Sequence, residues 1–266
     1  MIPPLPDYHT HTRFCRHASG EAIDYALAAA ALALPEIACT DHIPFPDDPS
    51  PSIRMTLDEF PCYIESVQHA AAESPIPVLL GLETDHRSDL VTARHLDSLL
   101  AQADFDLVLG SLHTGPFWTL TPDDPAATPA FIESMWRTYF QHMTDLARSG
   151  LYDICAHFDL VKRRACRPSP SCLREMVLPA LDAVAESGMA IELNTSGLIH
   201  DAKEIYPSFP ILTWMAERDI PVTFGSDAHR PEDVARHFDQ ALETARAAGL
   251  THRATYRRRR RQLLPL

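Results

Sequence analysis

Short apolar runs recur along the chain, and each stops on a side chain with metal-ligand chemistry. Ile37-Ala38-Cys39-Thr40-Asp41 leads to His42, and Val78-Leu79-Leu80-Gly81-Leu82 leads to Glu83. Val108-Leu109-Gly110-Ser111-Leu112 leads to His113, and Ile154-Cys155-Ala156 to His157. Two further runs end in Glu192–Asn194 and in Asp227 with His229, while His9-Thr10-His11 opens the series. Strand alternation points His9 and His11 to one face. Runs this short read as buried strands, each with its polar residue at the C-terminal end.

Helical periodicity fills the intervals, at about 20–34, 57–73, 89–102, 130–149, 171–187, 208–218 and 231–248. Gly20 and Thr56 punctuate helix starts, Gly150 and Gly188 helix ends, and Pro231 stands near a first position. Seven strand-then-helix units argue a parallel sheet. An open doubly wound sheet would gather its ligands at one switch point. Here they end essentially every strand, as at the top face of a closed barrel. The expected fold is therefore α/β, an irregular seven-unit TIM-like barrel. An eighth strand could lie in 43–53 or 114–130. One domain is expected over 1–266, with a short basic tail from about 252.

Composition narrows the function. The 266 residues are 45% hydrophobic and 22% charged, enough for a sizeable core, and carry a formal charge of −13. That balance gives no cationic surface for nucleic acid. The block Arg257–Arg261 reads as a solvated or oligomer-facing tail. Six dispersed cysteines, with no secretory segment and no long apolar span, lead us to expect a cytoplasmic protein with reduced thiols and no membrane partner.

Of fourteen histidines, seven join Glu83 and Asp227 at strand ends: His9, His11, His17, His42, His113, His157 and His229. Burying nine such groups together without cations would leave their desolvation uncompensated. Imidazole with carboxylate suits zinc, iron or manganese, and nine donors exceed one mononuclear centre. Two or three ions sharing a carboxylate would activate a water and clamp an in-line displacement at phosphorus. Cys15 and Cys39 lie near these donors, and core packing explains them equally well.

In order along the chain, His9-Thr10-His11, Gly81-Leu82-Glu83, Ser111-Leu112-His113, Ala156-His157-Phe158-Asp159 and Ser226-Asp227-Ala228-His229 resemble the motifs of the polymerase and histidinol phosphatase (PHP) superfamily. Phe14-Cys15-Arg16-His17-Ala18, Thr40-Asp41-His42-Ile43-Pro44 and the strings after His157 and Glu192 are most similar to its histidinol-phosphatase branch. The resemblance spans about residues 7–247. It implies a distorted (β/α)7 barrel with three divalent ions, zinc, iron or manganese. His9, His11, Glu83 and Asp227 would hold the first ion. Glu83 would bridge to a second, completed by His113 and His157, and His17, His42 and His229 would hold the third. The implied activity is metal-dependent hydrolysis of L-histidinol phosphate, a small anionic phosphomonoester, by a metal-activated hydroxide in histidine biosynthesis.

Arg163 or the adjacent Lys162, with Arg16 and Arg13 as further candidates, would bind the phosphate. Asp41 would either protonate the leaving group or orient a ligand. Phe117 and Trp118, in the loop after His113, would contact the substrate ring. That loop is less polar than in many histidinol phosphatases, which keeps a PHP phosphoesterase for nucleotides or nucleoside bisphosphates as the alternative. A metalloamidase or deaminase would want a bridging lysine at a strand end, which the chain does not offer. A metal-binding protein without turnover is the remaining reading.

Overall fold

The computed structural model describes residues 5–48, 51–87 and 90–266. Six parallel strands follow one another around the molecule in chain order: β1 (Ile37–Cys39), β2 (Val78–Asp85), β3 (Leu107–Ser111), β4 (Ile154–Cys155), β5 (Ala190–Asn194) and β6 (Val222–Gly225). The N-terminal segment 7–11 supplies the seventh. It bridges in parallel to Ile37 on one side and, through Thr10, to Ala228 on the other. Ala38 N–H donates to Asp7 O at 2.8 Å and Tyr8 N–H to Phe224 O at 2.9 Å, so this segment joins β1 to β6 and closes the barrel.

Between the strands run α1 (Ala22–Ala31), α2 (Phe60–Glu73), α3 (Leu90–Leu100), α4 (Pro129–Arg148), α5 (Pro170–Ser187), α6 (Phe209–Ala216) and α7 (Phe238–Ala247). Residue 89, where the sequence pattern starts the third helix, lies outside the described residues. The local rules that form these helices are visible in α4 and α5. Thr128 and Ser169 cap backbone N–H groups of the first turns, a proline takes the first position of each, and Gly188 ends α5 at φ 75°. On α4 the buried residues Ile132, Met135, Trp136, Tyr139, Phe140 and Met143 repeat at helical spacing.

Two departures from the sequence pattern carry structural meaning. The helix expected over 231–248 is a 3-10 turn at Pro231–Asp233 followed by α7 from Phe238. Ala235 (φ 53°) and His237 (φ 61°) stand in the left-handed region between them, where a helix cannot continue. The arginine block is also not a loose tail. It forms the turn of an antiparallel hairpin, β7 (His252–Arg257) with β8 (Arg260–Pro265), whose first strand touches β6 at Val222 and Arg253.

Arg258 and Arg259 take positive φ at that turn, and Asp106 holds both of their backbone N–H groups, at 3.0 and 2.9 Å. Arg259 pairs with Asp153 at 2.9 Å and Arg257 with Glu36, whose other oxygen accepts from Tyr8. Ala254 and Tyr256 enter an apolar cluster with Tyr8, Ala38, Leu79, Leu107, Leu109, Ile154, Ala156 and Ala190, the filling of the barrel. The hairpin thus covers the N-terminal end, which leaves the C-terminal end for the donor side chains. All six cysteines are free.

Candidate metal centre

The C-terminal strand ends bring the expected donors together. His9 and His11 sit on one face of the N-terminal segment, their Nε2 atoms 2.9 Å apart. Glu83 rises from β2 between them and the far wall. Its Oε2 lies 3.3 Å from His9 Nε2, 3.4 Å from His11 Nε2 and 3.0 Å from His42 Nδ1. Its Oε1 lies 3.0 Å from His157 Nε2 and 3.5 Å from His113 Nε2. Asp227 Oδ1 reaches His11 at 3.3 Å and His9 at 3.7 Å. His17 and His229 meet through their Nε2 atoms at 2.8 Å, while His42 turns its Nδ1 to Glu83 and groups with Glu83 and His113.

Whether these residues fit cations is tested by the other face of each ring. His9 Nδ1 is held by Glu192 Oε1 at 2.7 Å, His113 Nδ1 by Asp85 Oδ1 at 2.7 Å and His229 Nδ1 by Asp227 O at 2.9 Å. His17 Nδ1 faces Cys15 O, and His11 Nδ1 faces Cys15 Sγ at 3.2 Å. Acceptors on Nδ1 make it the N–H, which leaves Nε2 as the lone pair. Five of the rings therefore aim lone pairs at the same small volume. Glu83 Oε2 and His42 Nδ1 are buried there 3.0 Å apart, out of hydrogen-bond geometry with each other and with any other described group. Protons can relieve some of these approaches, but a donor set this dense fits divalent ions.

The local titration shows the strain. Burial pulls His11 and His42 below the ordinary imidazole value, and His17 down to about 4. For His113 burial is outweighed by Asp85 and Glu83, and it rises to about 9. His9 is raised as well, by Glu192, Glu83 and Asp227 against its burial.

The cluster opens on a cavity of about 550 Å³. Arg163 lines it, its guanidinium stacked 4.6 Å over the ring of Trp118, which lines it too. The other sequence candidates fall elsewhere. Lys162 is fully buried against Asp159 at 2.9 Å and Ile205 O at 2.7 Å, so its ammonium is committed to the scaffold. Arg16 binds Glu59 at 2.6 Å and Arg13 binds Glu21, both on the outer surface. Phe117 is buried edge-on against Tyr139. Asp41 is buried behind the cluster, where it accepts from Thr12 N and Oγ at 3.0 Å, and so orients the 12–15 turn.

Several wall residues have no role assigned from the sequence, although Glu192 ends one of its apolar runs. Glu192 bonds His9 and also the backbone N–H of His157 at 2.7 Å, locking two strands of donors together. Ser196 donates to Asp227 Oδ2 at 3.1 Å. His200, Asp233 and Arg236 line the cavity from loops after β5 and β6. The one available signal was Glu192 itself, a carboxylate inside an apolar strand.

A closed parallel barrel with imidazoles and carboxylates converging at one end defines a metal-dependent enzyme of the barrel type. A family model described as PHP domain matches residues 7–196, and one described as PHP-associated matches 211–247. The chain belongs to the PHP family, in its histidinol-phosphatase branch. A Deinococcus radiodurans protein named "Probable histidinol-phosphatase" is 35% identical over 97% of this chain and 98% of its own length. The Bacillus subtilis histidinol-phosphatase is 27% identical over 89% of this chain and 98% of its own. A crystal structure of the Lactococcus lactis histidinol phosphate phosphatase, complexed with zinc, L-histidinol and phosphate, has the same fold. Its TM-score is 0.77 at 22% identity, over 97% of this chain and 99% of that one.

Proposed function

We propose that the chain hydrolyses L-histidinol phosphate to L-histidinol and inorganic phosphate at a trinuclear divalent metal centre. The observation that carries the reaction is Glu83, one buried carboxylate that meets five imidazoles through its two oxygens. The substrate follows from the near-full-length likeness to histidinol-phosphatases.

His9, His11, Glu83 and Asp227 would hold the first ion, Glu83, His113 and His157 the second, and His17, His42 and His229 the third. Zinc, iron and manganese all suit this donor set. Bound divalent ions supply a water of lowered pKa and positive charge for the phosphoryl oxygens. The chain's own residues do the rest. Glu192 and Asp85 fix ring orientation and tautomer for His9 and His113. Arg163 presents a planar fork from the wall to the phosphate, its angle set by Trp118. Ile53, Leu160, Ile199 and Trp118 give the cavity an apolar side for an imidazole ring. A cytoplasmic place in histidine biosynthesis accompanies this reading; no helix among the described residues is long and apolar enough to cross a membrane.

The test is phosphate release by metal-reconstituted protein from L-histidinol phosphate and from a nucleoside monophosphate. The expected result is a kcat/KM of about 10⁴ M⁻¹s⁻¹ or more on the first, with strong preference over the second. Preference for the nucleotide would transfer the substrate to that class.

A further inference from the structure

L-Histidinol phosphate carries a third recognition group beside its phosphate and imidazole, the α-ammonium. Among the described residues, three carboxylates line the cavity: Glu83, Asp227 and Asp233. Glu83 is taken by imidazoles, and Asp227 by His9, His11 and Ser196. Asp233 stands outside the metal cluster, 29% exposed, with its Oδ1 2.8 Å from Arg236 Nη1.

This pair is held in place by more than its own attraction. Arg236 sits between two non-glycine residues in the left-handed region, Ala235 at φ 53° and His237 at φ 61°. Such conformations persist where the surroundings impose them. Buried Asp7 does so here, accepting from Ala235 N–H at 2.9 Å and from Ser226 N–H at 3.0 Å, which ties the loop to the end of β6. Arg236 Nε is buried with no hydrogen-bond partner. A guanidinium on a strained, anchored loop that lines the cavity, with Nη1 the nitrogen bonded to Asp233, is poised to offer its remaining donors to an anion there.

We propose that Asp233 and Arg236 form a zwitterion-reading pair: Asp233 accepts the substrate's α-ammonium while Arg236 turns its unused donors toward the phosphate. The inference rests on the histidinol phosphate reading and adds the residue that selects an amino-alcohol phosphate over a plain phosphomonoester. A site built to bind a substrate N–H rejects the analogue that lacks it.

The experiment compares L-histidinol phosphate with its des-amino analogue, 3-(imidazol-4-yl)propyl phosphate, in the metal-reconstituted wild type and in Asp233→Asn. The asparagine keeps an oxygen for Arg236 and removes the charge. The wild type should prefer the amino substrate, and D233N should lose about tenfold to hundredfold in kcat/KM on that substrate alone, mostly through KM. D233E should recover part of the loss. An equal loss on both substrates makes Asp233 only a support for Arg236, and no loss on either makes the pair a surface contact; each overturns the proposal. A wild type that hydrolyses neither imidazole substrate but does hydrolyse a nucleoside monophosphate overturns the histidinol reading, and this inference with it.

Discussion

The Glu83 carboxylate spans the cluster, with three imidazole nitrogens around Oε2 and two around Oε1. Glu83→Gln keeps the shape and removes the charge that two ions would share. Turnover should fall by several orders of magnitude with the circular dichroism spectrum unchanged, and near-normal turnover would remove the bridging role. Behind it, Gly225 leaves the space that the Glu192–His9 bond occupies: a Cβ there would stand 1.8 Å from Glu192 Oε1 and 2.7 Å from His9 Cβ. Gly225→Ala should therefore weaken metal retention by about 10- to 100-fold, read by elemental analysis after dialysis. Adjacent Lys162 and Arg163 should separate by phenotype. Arg163→Ala should raise KM with little change in melting temperature. Lys162→Ala, which strands Asp159 in the interior, should cost about 3–5 kcal/mol of stability by denaturant titration. Most of the donors were legible because they close apolar runs, and His9 and His11 because they alternate on a strand, whereas His17 ends no such run. Which of two neighbouring cations faces the cavity was not, since one residue's rotation in a 3-10 turn decides it. Phe117 and Trp118 posed the same problem.

At the scale of elements, strand and helix order followed from periodicity, while the pieces that finish the site did not. His200, Asp233 and Arg236 come from irregular loops, where positive φ values at non-glycine residues leave no compositional trace. The hairpin was hidden for a different reason. A run of arginines reads as solvated until its partners Glu36, Asp106 and Asp153, each from a different part of the barrel floor, are brought beneath it. Its contribution is packing as much as charge, because Tyr256 is 2% exposed and fills the barrel end beside Tyr8 and Ala190. Tyr256→Ala should lower stability by about 3 kcal/mol, while Arg260→Ala, an exposed change on the same hairpin, should stay within about 0.5 kcal/mol. Equal, small effects from both would mean that the hairpin lies on the barrel without closing it.

For the molecule as a whole, the net charge of −13 and a centre built for cations are compatible because the donors are concentrated at one end. That concentration makes metal-free protein sensitive to pH in a defined direction. His113 is raised to about 9, above its ordinary value near 6.5, despite burial and because Asp85 and Glu83 face it. A group raised on folding contributes stability that is complete below about pH 6.5 and lost as pH climbs through about 9. His9 is raised as well, whereas His17, at about 4, is already neutral across this window. Metal-free protein should thus lose melting temperature between pH 6.5 and 9. In loaded protein the same nitrogens are deprotonated ligands, and binding itself adds stability. The gap between loaded and chelated melting temperatures should therefore widen with pH over this range, and metal uptake at pH 7.5 should release protons to an indicator dye. A gap that narrows as pH rises would mean that Asp85 and Glu83 do not hold His113 protonated in the absence of metal.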